Sequence, residues 1–288
     1  MTSLLLDFAV ALAISSVTSL GGISGAFLIL PFQISVLGLT GPAVTPTNHL
    51  YNVVATPAGI LRFVREGRML WPLAALIVAG TAPGVIAGSL IRIHLLPDPR
   101  HFKLFAGAVL ILIGSRLLNR LLPRRAPPDA PADPSGQRIR VLRFDWQRLE
   151  YEFLGQRHGA SVPALAAVTA TIGVIGGAYG IGGAAIISPL LVALWRLPVH
   201  TIAAAALFGN LATSLVGVLF FACYGALTGI PDVTPDWPRG LAFGLGGLIG
   251  VYLGARVQRR VPARPIEAML GLIVTGLGLS YAIGFLWR

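Results

Sequence analysis

Residues 172–190, IGVIGGAYGIGGAAIISPL, decide how this chain folds. They lie in the middle of an apolar stretch, residues 162–195, which is too long for one straight helix across a bilayer because about 20 apolar residues already suffice. Closely spaced glycines and Pro189 interrupt the stretch, and both residue types disfavour an unbroken helix. The sequence therefore predicts two shorter helices that are joined by glycine-rich backbone.

A second interrupted stretch lies near the start of the chain, where residues 14–32 read ISSVTSLGGISGAFLILPF within apolar residues 4–37. A shift of 158 residues places one stretch on the other and matches the pairs Gly22/Gly180, Gly25/Gly183, Pro31/Pro189, Asn52/Asn210 and Gly59/Gly217. After an insertion near residues 231–236 the shift becomes 166 and matches Trp71/Trp237, Gly80/Gly246, Gly84/Gly250 and Gly88/Gly254. This ordered series predicts an internal duplication.

The composition excludes a soluble globular domain. Of the 288 residues, 55% are hydrophobic and 11% are charged, and the mean hydropathy is +0.78, whereas soluble domains carry about 25% charged residues. Further apolar stretches, each of roughly the length that crosses a bilayer, occupy residues 43–64, 71–91, 102–122, 199–224, 238–257 and 266–287. We expect an all-α integral membrane protein in which each repeat has a glycine-broken first helical stretch followed by three transmembrane helices.

Charged residues predict the orientation of the two repeats. Arg62, Arg65 and Arg68 follow the second stretch of the first repeat, whereas Asp232 and Asp236 follow its counterpart in the second repeat. Because cytoplasmic loops are enriched in arginine and lysine, these equivalent loops should face opposite sides of the membrane. This arrangement is typical of two inverted-topology repeats.

The predicted organisation has three parts: a first membrane repeat in residues 1–122, a cytoplasmic Pro/Arg-rich linker in residues 123–160 and a second membrane repeat in residues 161–288. We expect a mixed segment of the linker, residues 139–153, to lie at the membrane interface as an amphipathic piece. The N-terminus should face the outside of a multi-pass protein of the bacterial inner (cell) membrane. One basic loop then also falls outside, with Arg92, Arg100 and Lys103.

Several functional classes are disfavoured. The net charge of +11 comes from 22 Lys+Arg against 11 Asp+Glu, but the arginines flank apolar segments and form no single patch for nucleic acid. Cys223 is the one cysteine, so no cysteine metal cluster is expected, and no metal or cofactor is predicted. No Walker P-loop is present, which disfavours ATP hydrolysis. No acidic residue lies deep in a predicted span, whereas a cation pump or antiporter normally needs such a carboxylate.

The two breaks have a chemical consequence. Backbone N–H and C=O groups that leave a helix inside a membrane need protein or water as partners, and a helix N-terminus suits an anion. The glycines Gly22, Gly25, Gly182 and Gly183 would let a ligand approach the backbone closely, or they only permit tight helix packing. Their duplication favours ligand binding. The sequence leaves open whether each broken stretch is a re-entrant hairpin or a pair of short crossing helices.

The helix after the first break carries polar side chains at spacings of three and four, which place them on one face; they are Thr45, Asn48, Asn52 and Thr56. Asn210 and Ser214 are the second-repeat counterparts of Asn52 and Thr56. Such amides and hydroxyls could donate hydrogen bonds to an oxyanion or bond neighbouring helices to one another. His49 has no counterpart, since Leu207 stands at that position, and it is either structural or a group for proton coupling or anion contact.

Short motifs in both repeats support a comparison with known families. In the second repeat they are Gly180, Ile181, Gly182, Gly183, Pro189, Leu190, Leu197, Pro198, Tyr224, Gly225 and Trp237. In the first repeat they are Arg65, Gly67, Arg68 and Trp71. This ensemble resembles the TauE/SafE family of sulfite exporters. The resemblance covers both halves but not the linker, and it implies a permease or exporter for small sulfur-containing anions such as sulfite, a sulfonate or thiosulfate.

We therefore predict an anion-binding site near the membrane midplane, formed by Gly22, Ser24, Gly25, Asn48, His49, Asn52, Gly182, Gly183, Asn210 and Ser214. The expected partners are a small anionic substrate and the lipid bilayer, without nucleic acid. The sequence does not indicate whether the chain forms oligomers.

Two other classes compete with a permease. The segment around Ser24 resembles the nucleophile motif of rhomboid intramembrane proteases, with His49 as a possible base. Gly182 replaces Ser24 in the second repeat, and rhomboids are not inverted duplications. A non-transporting membrane assembly factor is the other alternative.

Overall fold

The computed structural model describes residues 2–20, 24–119, 121, 139–182, 184–257 and 263–287. These residues form eleven α-helices and a three-stranded sheet. In chain order the elements are α1 (Thr2–Leu20), α2 (Ala26–Ser35), α3 (Val44–Ala55), α4 (Pro57–Arg65), α5 (Trp71–His94), α6 (Pro99–Asn119), β1 (Arg140–Phe144), β2 (Arg148–Phe153), β3 (Gln156–Ser161), α7 (Val162–Tyr179), α8 (Ala184–Trp195), α9 (Val199–Thr228), α10 (Trp237–Val257) and α11 (Ala263–Leu286).

The predicted class, an all-α integral membrane protein, is confirmed. Six helices of the described ranges are long and apolar enough to cross a membrane, namely Ser3–Leu20, Trp71–His94, Pro99–Asn119, Val162–Tyr179, Thr201–Thr228 and Pro265–Leu286. In a bilayer these helices can satisfy their backbone groups internally while apolar side chains face lipid.

Both interrupted stretches are broken where the glycines predict. The first breaks between α1 and α2 and the second between α7 and α8. Gly180 and Gly182 have φ values of +91° and +64°, which glycine adopts without the steric penalty of other residues. The N–H of Gly180 donates to the carbonyl oxygen of Gly176 at 2.7 Å, so Gly180 closes α7 as a left-handed cap. The helices that follow have only 10 and 12 residues.

One expected span is divided. The stretch 43–64 forms α3 and α4, which meet at Thr56 and Pro57. Proline has no N–H for the helix and its ring clashes with the preceding turn, while the hydroxyl of Thr56 donates to the carbonyl oxygen of Asn52 at 2.6 Å. In the second repeat Leu215 stands at the equivalent of Pro57, and α9 is an unbroken helix of 30 residues.

Helices of the two repeats exchange partners. The most extensive contacts are α1 with α10, α5 with α7, and α6 with α11, so the first helix of each repeat packs on a helix of the other. Glycines spaced by four make this possible, because a Cβ at Gly84 would strike the carbonyl oxygen of Ala170, and one at Gly250 would lie 2.5 Å from that of Leu12. The glycines that the shift of 166 matched therefore share one packing role.

The interfacial piece expected at residues 139–153 is instead part of an antiparallel sheet in the order β1-β2-β3. In β2 the buried side chains Leu149, Tyr151 and Phe153 alternate with more exposed ones, which is the period of a strand. The Tyr151 hydroxyl lies 2.8 Å from Oγ1 of Thr201 near the start of α9, and burial raises the Tyr151 pKa to about 12. The sheet thus packs against the end of the helical bundle; residues 122–138 lie outside the described ranges.

Candidate functional site

Asn48 joins the two helix breaks. Its side chain is fully buried, and Nδ2 donates to the carbonyl oxygen of Ala26 at 2.9 Å and to that of Gly180 at 3.1 Å. Ala26 opens α2 in the first repeat, and Gly180 ends α7 in the second. One amide on α3 therefore holds together two backbone segments that are far apart in sequence.

Asn52 repeats this arrangement one turn later on α3. Its Nδ2 donates to the carbonyl oxygen of Gly180 at 3.3 Å, and its Oδ1 accepts a hydrogen bond from Oγ of Ser24 at 3.3 Å. The Ser24 hydroxyl also accepts the backbone N–H of Ala26 at 3.3 Å, which satisfies a donor at the start of α2. The structure therefore uses Ser24 and Asn52 to fix the first break.

Asn210 differs from Asn52, its counterpart. The side chain is fully buried, and neither Oδ1 nor Nδ2 has a hydrogen-bond partner among the described residues. Gly182 stands at the equivalent of Ser24 and lacks a hydroxyl, and a Cβ added there would strike Asn210 Oδ1 and lie 2.6 Å from Ser214 Oγ. A buried amide without partners loses about 1–3 kcal/mol per unsatisfied group, so Asn210 is, among the predicted site residues that the structure describes, the amide most available to a ligand.

His49 extends the same cluster. Its Nδ1 lies 3.4 Å from Oγ of Ser214, whereas its Nε2 is buried and unpartnered within the described ranges. The Oδ1 atom of Asn48 is likewise buried and has no hydrogen-bond partner among the described residues. A Cβ at Gly217 would lie 2.7 Å from the imidazole ring, so this glycine makes room for His49. His49 from the first repeat and Asn210 from the second thus lie beside Ser214.

Three further predicted residues have different outcomes. Gly25 packs closely against α3. A Cβ added at Gly25 would lie only 2.6 Å from the Tyr51 hydroxyl, so the absence of a side chain permits this contact. Gly22 and Gly183 lie outside the described residues, and their roles stay predictions.

Sequence reasoning missed two hydroxyl residues beside the breaks. Thr213 donates to the carbonyl oxygens of Gly182 at 2.8 Å and of Gly209 at 2.7 Å, which orients the second break. Tyr51 lies 2.9 Å from Oγ of Ser15, oxygen to oxygen, and so ties α3 to α1. Thr213 follows Asn210 by three positions, and Tyr51 follows Asn48 by three. This spacing places each pair on one helix face and could have revealed both residues.

A cavity of about 470 Å³ opens beside the first turn of α3. Its polar lining includes Gln33, Thr47, Asp232 and Asp236. Gln33 is fully buried, and both atoms of its amide lack partners within the described part of the chain. None of the predicted site residues lines this cavity, so it is a vestibule near the breaks and not the predicted site itself.

Arg92 is a buried cation in the last turn of α5, although the sequence placed it in a loop. It is fully buried at the end of α5. Its Nε donates to Oγ1 of Thr45 at 3.2 Å, its Nη2 to the carbonyl oxygen of Gly41 at 3.0 Å and its Nη1 to that of Leu96. The guanidinium also lies 3.7 Å from the ring centroid of Phe102. All these partners are neutral, so the positive charge is stabilised without a carboxylate contact.

The cluster at the breaks consists of neutral hydrogen-bonding groups. Its side chains are amides, hydroxyls and an imidazole, which can donate hydrogen bonds to oxyanions. Among the described residues no group of three or more His, Cys, Asp or Glu side chains could hold a metal ion.

Comparison with known proteins identifies the family. The model of the sulfite exporter TauE/SafE family matches residues 7–281. The "Probable membrane transporter protein" of Xylella fastidiosa (strain 9a5c) is 26% identical over 272 residues, which are 93% of this chain and 89% of the relative. The "Probable membrane transporter protein YunE" of Bacillus subtilis (strain 168) is 22% identical over 270 residues, 91% of each chain.

No solved structure matches the chain. The family model spans both repeats and the sheet between them, so the resemblance seen in the short motifs is confirmed. The chain belongs to the sulfite exporter TauE/SafE family and is a multi-pass membrane transporter.

Proposed function

We propose that this chain is a non-enzymatic permease that moves a small sulfur-containing oxyanion, of the sulfite, sulfonate or thiosulfate class, across the bacterial cell membrane. One observation carries the proposal: Asn210 is a fully buried amide whose polar atoms have no partner among the described residues, at a helix break in a transporter family. A dehydrated oxyanion would supply the missing acceptor for Nδ2.

The anion would be bound by neutral donors from both repeats. Asn210 Nδ2 donates from α9, the Ser214 hydroxyl lies next to it, and His49 Nε2 can donate in one tautomer. Backbone N–H groups at the start of α8, just beyond Gly182, add the positive end of a helix dipole. Binding by these neutral groups would leave the anion mobile, because no cationic side chain among the named donors holds it by charge.

Contacts between helices support an inverted arrangement of the repeats. Asp7, in the first turns of α1, faces Arg239, in the first turn of α10, and the backbone N–H of Asp236 donates to Thr47 Oγ1 at 2.9 Å near the start of α3. In contrast, Ala178 at the end of α7 accepts a hydrogen bond from Thr45 at 3.1 Å. Thus α7 ends where α1 and α3 begin, as inverted repeats require.

We propose that the α3 start and the N-terminus face outside and that the linker 123–160 is cytoplasmic. In that orientation the sheet lies on the cytoplasmic side, and the vestibule with Gln33 opens to the outside. Alternating access would then expose the two breaks to either side in turn.

A serine protease would need Ser24 and His49 to form a catalytic dyad, and the described residues do not show this pair in contact. Ser24 bonds to Asn52 and to the N–H of Ala26, whereas His49 lies next to Ser214. A serine nucleophile needs the base within hydrogen-bond reach. The remaining alternative, an assembly factor, is distinguished from a permease by a transport assay.

The decisive experiment is flux in proteoliposomes, tested with sulfite, thiosulfate, sulfoacetate and sulfate. We expect wild-type protein to carry at least one of these anions. Asn210→Leu should lower the flux roughly tenfold or more, because the variant loses one charge-assisted hydrogen bond to the anion. The control is Asn119→Leu, an exposed asparagine at the end of α6. Absence of flux for all four anions would contradict the proposal.

A further inference from the structure

Asp7 is a buried carboxylate that the proposed anion site does not use. Its side chain is fully buried in α1, and neither carboxylate oxygen has a hydrogen-bond partner among the described residues. Its ion-pair contact is with Arg239, whose Nε lies 4.0 Å from Oδ2. The same Nε is closer to Oδ2 of Asp236, at 3.3 Å, so two carboxylates share one guanidinium.

Arg239 is itself incompletely paired. Its Nη1 is buried and has no partner in the described part of the chain. A buried ion pair is favourable only when its geometry is good and its remaining polar atoms are satisfied. The cluster of Asp7, Arg239 and Asp236, called the charge cluster below, meets neither condition.

The equivalent contact between the repeats, that of α7 with α5, has no charge at these positions. The shifts that relate the repeats place Leu165 at the position of Asp7 and Leu73 at the position of Arg239. Both leucines are fully buried, and they lie on α7 and α5, which pack as α1 and α10 do. Packing therefore does not require the charges, and apolar replacements of buried ion pairs are often neutral or stabilising. This comparison points to a role of the charge cluster beyond structure.

The charge cluster borders the vestibule through Asp236. Asp236 and the unpartnered Gln33 both line that cavity, and 24% of the Arg239 side chain is exposed. From the helices packed on α1, the groups facing Asp7 are Arg239 and Asp236. The helix α2 has no charged residue, and those of α11 are Arg264 and Glu267, near its start.

A contact connects the charge cluster to the breaks. Two turns after Asp7 on the same helix, the Ser15 hydroxyl lies 2.9 Å from that of Tyr51 on α3. The helix α1 also leads directly into the first break. A change in the attraction between Asp7 and Arg239 would shift α1 on α10 and so reach Asn48 and Asn52.

We propose that Asp7 binds the proton that is co-transported with the anion, an inference that rests on the proposed function. A proton from vestibule water forms one O–H bond with the Asp7 carboxylate and makes it neutral. Arg239 then has an ion pair with Asp236 alone. The O–H bond breaks again when the proton is released on the opposite side together with the anion. The charge cluster therefore makes the contact between α1 and α10 sensitive to protons, whereas the equivalent contact between α7 and α5 has leucines at the positions of Asp7 and Arg239.

The test separates anion movement from proton movement in proteoliposomes that contain sulfite or whichever of the four anions wild type carries. Exchange of labelled for unlabelled anion at equal pH requires no net proton transfer, whereas net uptake driven by an imposed pH gradient does. We expect wild type to perform both, with alkalinisation of the medium during uptake, and Asp7→Asn to keep exchange but lose the acceleration by the pH gradient.

A second variant guards against misfolding. Asp7→Leu combined with Arg239→Leu copies the leucines of the equivalent contact between α7 and α5, and this double variant should fold and exchange anion without proton coupling. Asp98→Asn, an exposed carboxylate, is the matched control and should behave as wild type.

The possible failures are distinguishable. Wild-type exchange without proton movement, or gradient-driven uptake that survives Asp7→Asn, would overturn the proton site and leave the permease intact. Loss of exchange in both Asp7 variants would also overturn it, since Asp7 would then serve folding or anion binding. Absence of exchange in wild type would overturn both proposals.

Discussion

The side-chain amide of Asn48 donates to the carbonyl oxygen of Gly180 at 3.1 Å and to that of Ala26 at 2.9 Å. This single amide bonds the break of one repeat to the break of the other. It therefore acts as a structural link under the proposed site, while its Oδ1 stays without a partner among the described residues.

Asn48→Leu should destabilise the protein. Two buried carbonyl oxygens would each lose a donor. Each lost hydrogen bond corresponds to about 0.5–1.5 kcal/mol, since the Gly180 oxygen keeps the hydrogen bond from Asn52. We expect a lower melting temperature in detergent than for wild type, measured beside Asn119→Leu. An unchanged melting temperature would show that the two carbonyl groups find other donors.

Asn52→Leu and Asn210→Leu should separate stability from transport. Asn52 makes hydrogen bonds to Ser24 and Gly180, so its replacement should lower both the melting temperature and the flux. Asn210 makes none with described residues, so its replacement should lower flux roughly tenfold or more without loss of stability. Equal effects of the two variants on melting temperature would contradict this distinction.

Gly182→Ala should abolish anion flux. Its φ of +64° is unfavourable for alanine, by roughly 1–2 kcal/mol, and the new methyl group would strike Asn210 Oδ1. The matched control is Gly276→Ala in α11, where an added Cβ meets nothing within 4 Å. Flux should be normalised to folded protein from size-exclusion chromatography. Wild-type flux in Gly182→Ala would remove the second break from the site.

Cysteine labelling tests the proposed orientation. In a Cys223→Ser background, a cysteine at Asp232 should react with an impermeant reagent only from outside, and one at Arg157 only from the cytoplasm. Both positions are exposed, so differences in reactivity report the side of the membrane. Labelling of both from one side would contradict the inverted arrangement.

The β1–β2 turn has a defined pH dependence. Backbone N–H groups of Arg148 and Gln147, then the Arg143 side chain, hold the Asp145 pKa below its usual value. Because the folded pKa is lowered, these bonds stabilise the turn above the unfolded pKa of about 3.9, and that stability is lost as the pH falls through the folded value. NMR shifts of the Gln147 and Arg148 amides should titrate with a midpoint below that of a model aspartate. A midpoint at or above it would contradict the assignment.

Several features could be predicted from sequence because they depend on local chemistry. Glycine is the residue that adopts positive φ easily, so the clusters around Gly180 and Gly182 reveal the second break without knowledge of any neighbour. The apolar stretches predict the spans since length alone decides whether a helix crosses a bilayer. Two local signals were overlooked, namely Pro57, which divides α3 from α4, and the alternation of Leu149, Tyr151 and Phe153, which indicates a strand.

The state of individual polar groups was decided by tertiary structure alone. Asn52 and Asn210 are equivalent in sequence, yet Asn52 is paired with Ser24 and Gly180, whereas Asn210 has no partner among the described residues and faces Gly182, which has no hydroxyl, in place of the serine. The sequence predicted that Asp7 does not lie deep in a membrane span, whereas the structure buries its side chain fully beside Arg239. The free energy of a buried polar group depends on partners that folding brings from distant segments, and no local pattern along the chain contains that information.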